Sequence, residues 1–510
     1  MEENFHTKKP SLNSGKTKNM VSRLTIIVVS IVLCNLFRSV SAEQTLTLEQ
    51  ALQIAETGSP SMQKAQLSRE QSRQYLIAQK ASLKASFSLG LNPFKYSNTR
   101  NFDDRYSSWY NYEYMSSGGT FSISQPILPT NTTLTLVNTF GWQNTLSSYS
   151  GSTTSDKSFV NDMFISLKQP LFTYNSQKMN LKELELDVEN AEIEYALARL
   201  SLERNVTSLF YNVYMSQLNL DISKEELKNT QLSRNTIADK VENGMAANVE
   251  LYQADLNLSS AKSTVKNREV ALENAKANFK QFIGMDLNET LTVMASIAES
   301  DTIIISINMA VERGLNSRME LRQRKIAIEN QQFSLTRTKD YNDFDGSVAL
   351  SVGLTGNNDG LRNVYDKPAK SPSVGISFNI PIYDWGERRA RIKAQEAALK
   401  SRNVDLDSER TGVIVEIGEV CRNIENYRTQ IEIENQNQKN AELAYEISLE
   451  KYKNGDLTSM DLNLYQSQLS SKKISMALAH IHYKLEVLNL KIATLYDFET
   501  NQPITVLTKK

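Results

Sequence analysis

One stretch of this chain is written twice. Lys240–Lys262, KVENGMAANVELYQADLNLSSAK, and Lys451–Lys473, KYKNGDLTSMDLNLYQSQLSSKK, align without a gap and share eight of 23 positions at a spacing of 211 residues. Pro170 in KQPLF and Pro381 in NIPIY are also 211 apart, so each proline precedes its glycine, Gly244 or Gly455, by 74 residues. Farther upstream, Leu48–Ala55 (LEQALQIA) matches Ile307–Gly314 (INMAVERG) at a spacing of 259. Two copies of one supersecondary unit are therefore expected. The 48-residue difference between the two spacings lies between the first helix and the proline, where one half has grown.

Residues 176–240 and 384–452 are polar overall, hold few glycines and no proline, and read as long helices. At 1.5 Å per residue, about 65 helical residues reach roughly 100 Å, which is the length of a coiled coil and not of a globular helix. Leu181, Leu184, Val188, Ala191, Tyr195, Ala198 and Leu202 recur at spacings of three and four. Beyond the first glycine, Leu251, Ala254, Leu258, Ala261, Val265, Arg268, Leu272, Ala275, Phe279 and Phe282 do the same, with Arg268 the one interruption. Large residues alternating with alanine let helices approach closely and interlock. Each Asn-Gly is then a tight turn between antiparallel helices, where positive φ is needed.

The segments before each proline follow another period. In Gly346–Gly356, Val348, Leu350, Val352 and Leu354 share one face, and Ser347, Ala349, Ser351 and Gly353 the other. Pro372–Pro381 repeats this, with Val374, Ile376, Phe378 and Ile380 opposite Ser373, Gly375, Ser377 and Asn379. Such alternation with a small polar reverse face suits a strand of an outer-membrane barrel; a soluble sandwich strand has the same period. Asp162–Pro170, Thr133–Thr139 and Gly119–Gln125 are the first-half candidates. Residues 92–160 are rich in Ser, Asn, Thr, Gly and aromatics (Trp109, Tyr110, Tyr112, Tyr114, Trp142, Tyr149), as in interfacial belts or exposed loops. The extra 48 residues form either a long surface loop or an additional hairpin.

The N-terminus combines Lys8, Lys9, Lys16, Lys18 and Arg23 with the apolar run Leu24–Phe37 and the small-residue exit RSVSA, ending at Ala42. These are the parts of a secretory signal, 1–42, with Met1 or Met20 as start. Its removal takes six basic and two acidic residues, moving the net charge from −1 to −5. Nothing there suggests nucleic acid, which selects basic faces. No apolar run in the body reaches the ~18 residues of a membrane-spanning helix. Cys421 remains as the one cysteine of the mature chain, so no internal disulfide forms; it reads as a small core residue.

With these features in place, the chain resembles the TolC-like outer membrane efflux proteins (outer membrane factors) along its mature length. The resemblance rests on Leu46–Ala55 (LTLEQALQIA), on Pro381–Ala390 (PIYDWGERRA), on the paired K-x-x-N-G turns and on the duplication. In YDWGE, Asp384 is placed to cap the following helix with Glu387 reaching back; the first copy, QPLFTYN at 169–175, lacks this pattern. The resemblance implies a mixed α and β fold: a homotrimer whose chains each give four strands to one twelve-stranded outer-membrane β-barrel, continued by a long α-helical coiled-coil barrel.

The organisation is then a signal peptide at 1–42 and a first repeat at 43–284, with barrel strands about 85–170 and a hairpin tip near 244. An equatorial linker follows at 285–306. The second repeat is 307–496, with strands about 346–381 and a tip near 455, and the tail is 497–510. The implied role is a passive exit duct in a tripartite efflux or type I secretion system, extending from the outer membrane into the periplasm. Its partners would be a periplasmic adaptor, an inner-membrane pump of RND or ABC type, and outer-membrane lipid. Glu250 and Asp461, six residues after their tip glycines, match acidic tip residues of the family and would form a tunnel constriction, with Gln253 and Leu464 where a second acidic residue is often found. Lys240, Asn243, Gly244, Lys451, Asn454 and Gly455 would dock the adaptor. No catalytic group, cofactor or metal is assigned: His480 and His482, two apart on a helix, do not share a face and read as helix-surface residues. An exported periplasmic coiled-coil scaffold or adhesin is the alternative. It accounts for the helices and leaves the strands unexplained.

Overall fold

The computed structural model describes residues 44–105, 107–149, 152–294, 305–454 and 456–504. The signal segment, linker residues 295–304, Gly455 and the end of the tail lie outside the described residues. In chain order the elements are β1 (Gln44–Leu46), α1 (Leu48–Gly58), α2 (Pro60–Ser82), β2 (Ser86–Asp103), β3 (Ser108–Ile127), β4 (Thr132–Tyr149), β5 (Ser152–Leu171), α3 (Ser176–Glu242) and α4 (Asn248–Ile283). After β6 (Leu291–Val293) come α5 (Ile307–Ser317), α6 (Met319–Asp340), β7 (Asp345–Asn358), β8 (Ala369–Asn379), α7 (Glu387–Asn454) and α8 (Ser459–Thr494). Helices α3 and α7 run 67 and 68 residues, the lengths expected from the glycine- and proline-poor stretches. The duplication is visible in the paired 11-residue helices α1 and α5, each followed by a helix of 22 or 23 residues.

The chain forms two compact units, and each draws on both repeats. The first comprises residues up to Ser59, Val206–Ala298 and Ala444–Ile474. In it β1 pairs in parallel with β6. Phe210, Val213, Phe279 and Ile283 are fully buried, with the Phe210 and Phe279 rings edge to face at 6.2 Å. The heptad seam of α4 is buried at Ala254, Leu258, Val265, Leu272, Ala275 and Phe279. It then drifts from the expected Phe282 to Ile283, as a 3.6-residue helix drifts from a seven-residue repeat. Gly284 closes α4 with φ 77, and a Cβ there would stand 2.1 Å from the Gly58 carbonyl oxygen, so only glycine fits.

The second unit comprises Pro60–Asn205, Glu299–Leu443 and Ser475–Lys510. One core gathers Val413, Ile417, Cys421 and Ile424 with Tyr483, Val487 and Leu490. Cys421 is thus a core residue, and burial pushes its thiol pKa up. A second core packs Leu186, Ile193, Ala196 and Leu200 of α3 against Met319 and Ile326 of α6. These positions lie beside the seam read from sequence, whose Val188, Ala191 and Leu202 are also buried. Helix α3 therefore buries two stripes where one seam was expected, because it packs against more than one neighbour. Ion pairs fasten the same faces: Arg322 forks onto both Glu189 oxygens at 2.6 and 2.8 Å, and Arg73 reaches Glu192 at 2.7 Å.

This unit also holds a six-stranded antiparallel sheet in the order β2-β3-β4-β5-β7-β8. The expectation of four strands per chain is corrected here. The additional 48 residues supply β3 and β4, a hairpin inserted between β2 and β5 and not a surface loop. The reason is physical: both strands continue the period-two alternation, and their pairing is unbroken from Asn111↔Ser148 to Ile127↔Thr132. Each then satisfies its backbone groups on both sides.

Across all six strands the register brings like faces together. Phe87, Ile123, Leu136, Ile165 and Val352 form one row, and Leu134, Leu167, Leu350 and Val374 the row beside it. The opposite face is small and hydroxylated, with cross-strand contacts Ser88–Ser122 at 2.6 Å, Thr120–Thr139 at 3.2 Å and Ser351–Ser373 at 2.8 Å. On the apolar face Phe87, Leu89, Val352 and Val374 are 63–73% exposed. Polar pairs on that face satisfy each other, among them Asn138 donating to Asn161 at 2.9 Å, Ser155 to Asn144 at 3.2 Å and Asn98 to Glu113 at 3.3 Å. Tyr112 and Tyr114 stand on the polar face and Trp142 on the apolar one, so the expected aromatic group is divided between the faces.

The strand-to-helix joints differ between the repeats. Asp384 accepts from the backbone N–H groups of Gly386 and Arg388, both at 2.9 Å, and these bonds hold its carboxyl below the usual range. Glu387 does not reach back as expected; it pairs with Arg391 one turn on, at 2.6 Å. In the first copy Asn175 supplies the missing cap, accepting from the Lys178 N–H at 2.9 Å.

Candidate functional site

The two tips lie in the first unit. At the end of α3, Asn243 donates its backbone N–H to Asp239 O and Gly244 donates to Val241 O. Met245 then donates to Lys240 O at 2.7 Å; the second tip repeats this bond, Asp456 donating to Lys451 O at 2.9 Å. Six-to-one closure of this kind ends a helix on a left-handed residue. Gly244 has φ 74, and a Cβ added there meets nothing within 4 Å, so its requirement is backbone conformation and not space. Gly455 lies outside the described residues.

The starts of the returning helices differ. Thr458 caps α8: its hydroxyl accepts from the Asp461 N–H at 3.2 Å and donates to the Asp461 carboxylate at 2.6 Å. The equivalent cap of α4 is Ala247, which offers no side-chain bond to Glu250. Both carboxylates are exposed, and the Asp461 carboxylate accepts from the hydroxyl of its N-cap residue, Thr458.

Between the two hairpins runs a cleft of about 850 Å³ whose walls mix polar and apolar side chains. Lys240, Glu250, Gln253, Tyr452, Thr458 and Asn463 are among its lining residues. Ser233 and Tyr452 hydroxyls lie 3.4 Å apart, Asn229 donates to the Tyr445 hydroxyl at 3.4 Å, and Arg234 pairs with Asp255 at 2.8 Å. Of the two constriction residues, Glu250 lines this cleft and Asp461 does not. Of the docking set, Asn243, Gly244, Lys451 and Asn454 are exposed, and Lys240 is half-buried with its ammonium 5.8 Å from the Tyr452 ring. The helix-surface reading of the histidines is half right: His480 is buried, while His482 is exposed beside Tyr427 at 5.3 Å. Among the described residues no three His, Cys, Asp or Glu side chains converge as a metal site.

A profile of the outer membrane efflux protein family matches residues 51–285 and 315–494, one block in each repeat. The chain belongs to that family. It is 22% identical over 340 residues to nodulation protein T of Rhizobium leguminosarum bv. viciae, covering 64% of this chain and 69% of that protein. It is 20% identical to outer membrane protein TolC of Vibrio cholerae, covering 64% of this chain and 75% of the other. The CmeC outer membrane channel of Campylobacter jejuni shares the fold with a TM-score of 0.66 at 17% identity, covering 88% of this chain and 85% of that one. Family membership sets the chain among outer-membrane efflux channels and not among enzymes.

Sequence reasoning missed two helix caps, Asn175 at the strand-to-helix joint of the second unit and Thr458 at the second tip. Asn175 stands two positions after the residue equivalent to Asp384, so aligning the repeats conceals it. Thr458 followed by Asp461 is a legible capping pair, and Ala247 at the equivalent place marks the asymmetry of the tips.

Proposed function

We propose that the chain is the outer-membrane duct of a tripartite efflux or type I secretion system. It would assemble as a homotrimer with a periplasmic extension. A periplasmic adaptor would engage it, and an inner-membrane pump of RND or ABC type would load it. The observation that carries this reading is the two-faced sheet: an exposed apolar face backed by a hydroxylated one. Lipid favours the first and a water-filled lumen the second. The free edges β2 and β8 support assembly, since unpaired backbone is costly in hydrocarbon. Glu250 and Asp461 are proposed as the cation-favouring constriction, with Glu250 the less constrained of the two. The adaptor would meet Lys240, Asn243, Gly244, Lys451, Asn454 and Gly455, a reading supported by the repeated K-x-x-N-G sequence and by the closure bond that both helix ends share.

The test is fractionation followed by export. The protein should enter the outer-membrane fraction, require detergent for release, and conduct ions in a planar bilayer. Deleting the gene alone and with each neighbouring pump gene should make the same solutes accumulate in the cell. Release with the soluble periplasm would support the scaffold reading instead.

A further inference from the structure

The inserted hairpin sets this chain apart from the four-strand contribution that its family resemblance implies. We propose that β3 and β4 are part of the membrane wall, so that the assembled barrel has eighteen strands and an exit half again as wide as a twelve-stranded one. The count of eighteen rests on the trimer proposed above.

Three observations place the hairpin in the wall. It lies within the sheet, paired to β2 on one side and β5 on the other, so that removing it would separate the strands that it now joins. Its apolar face continues the band without a step: Leu136 stands between Ile123 and Ile165 in the row that runs on through Val352. Its polar face continues the hydroxyl face through Thr120 and Thr139.

Its turn is also built into the strand-to-helix joint. Asn175, which caps α3, donates to the Leu128 carbonyl at 2.6 Å, and Ser176 donates to Asn131 at 3.3 Å. Gln169 of β5 donates to the Thr130 carbonyl at 2.8 Å, and Gln125 of β3 donates to the Leu83 carbonyl at 3.1 Å beyond the end of α2. A hairpin standing outside the membrane as a loop would have its turn away from these caps. Here the turn is fastened on the helical side of the sheet.

Six strands keep β2 and β8 antiparallel, so β8 of one copy can pair with β2 of the next in the sense of every other pair in the sheet. Strands about 4.8 Å apart and tilted about 40° give a backbone radius of about 12 Å for twelve strands and about 18 Å for eighteen. The wider mouth would pass bulkier cargo at the exit.

The experiment uses the full-length protein in lipid nanodiscs, imaged by single-particle cryo-electron microscopy along the barrel axis. Three copies with eighteen strands support the proposal. Three copies with twelve strands and the hairpin outside the ring overturn it while leaving the trimer intact. Any copy number other than three defeats the trimer reading first, and the count of eighteen with it. A second measurement needs no image. Nitroxide labels at Leu136→Cys and Thr135→Cys are compared for collision with oxygen, which partitions into lipid, and with a water-soluble nickel chelate; unsubstituted protein, with Cys421 buried, gives the background. Position 136 should favour oxygen and position 135 nickel, each several-fold. Equal nickel access at both positions would place the hairpin in water and refute the wall assignment.

Discussion

Val352→Arg, set against Ser351→Arg, tests the orientation on which the duct reading depends. Val352 is 63% exposed on the apolar face, between Ile165 on β5 and Pro372 on β8. In lipid that exposure is hydrocarbon, and an arginine at mid-strand costs about 2–4 kcal/mol. At about 1.4 kcal/mol per tenfold this weakens the folding equilibrium of each chain by roughly 30- to 700-fold. Ser351 points the other way and shares a hydrogen bond of 2.8 Å with Ser373. Its replacement forfeits about 0.5–1.5 kcal/mol and leaves the new charge in water. Heat-modifiable trimer on mild gels, with urea titration of the reconstituted proteins, should show severe loss for the first variant and a modest shift for the second. Equal loss would mean that both faces are packed, as in a soluble sandwich, and the duct reading would fall with the orientation.

Four further outcomes are expected. The Glu250→Ala/Asp461→Ala pair should abolish cation preference in a planar bilayer, and Thr458→Ala alone should lower helix stability by about 0.5–2 kcal/mol through the lost N-cap; unchanged selectivity removes the constriction. Gly244→Trp, at φ 74 with open space around it, should cost about 1–2 kcal/mol locally and spare assembly while stopping export; normal export would move docking elsewhere. Gly284→Ala combines left-handed strain with a clash against the Gly58 carbonyl, and should lower the thermal midpoint well beyond the loss seen for Gly244→Ala. Glu189 has its pKa lowered, chiefly by its hydrogen bond to Arg322, so its contribution is present above the ordinary glutamate range and fades as pH falls through the folded value. Acid unfolding of Glu189→Gln should accordingly be flatter below about pH 5.

What could be read from the residues alone were features whose cause is local. A period of two, a three–four recurrence, an Asn-Gly turn and a proline at fixed distance each follow from neighbours in the chain, and duplication wrote them twice. They gave the long helices, the strands around Pro170 and Pro381, the position of both tips and the buried Cys421. The candidate site was legible to the same depth: Lys240, Gly244 and Glu250 could be named, but their grouping could not. Glu250 lines the cleft and Asp461 is bonded to Thr458, a partner that Ala247 cannot offer Glu250, and this difference appears only when the helix starts are built. Likewise, period-two alternation marks Thr133–Thr139 as a strand candidate, but leaves open whether Thr132–Tyr149 pairs within the sheet or lies in a surface loop. Its partners on β3 and β5 decide that, because pairing satisfies its backbone and aligns Leu134 and Leu136 with apolar rows begun elsewhere. The second buried stripe of α3 and the Asn175 cap are of the same kind. They depend on contacts between segments far apart in the chain, and no local period encodes such contacts.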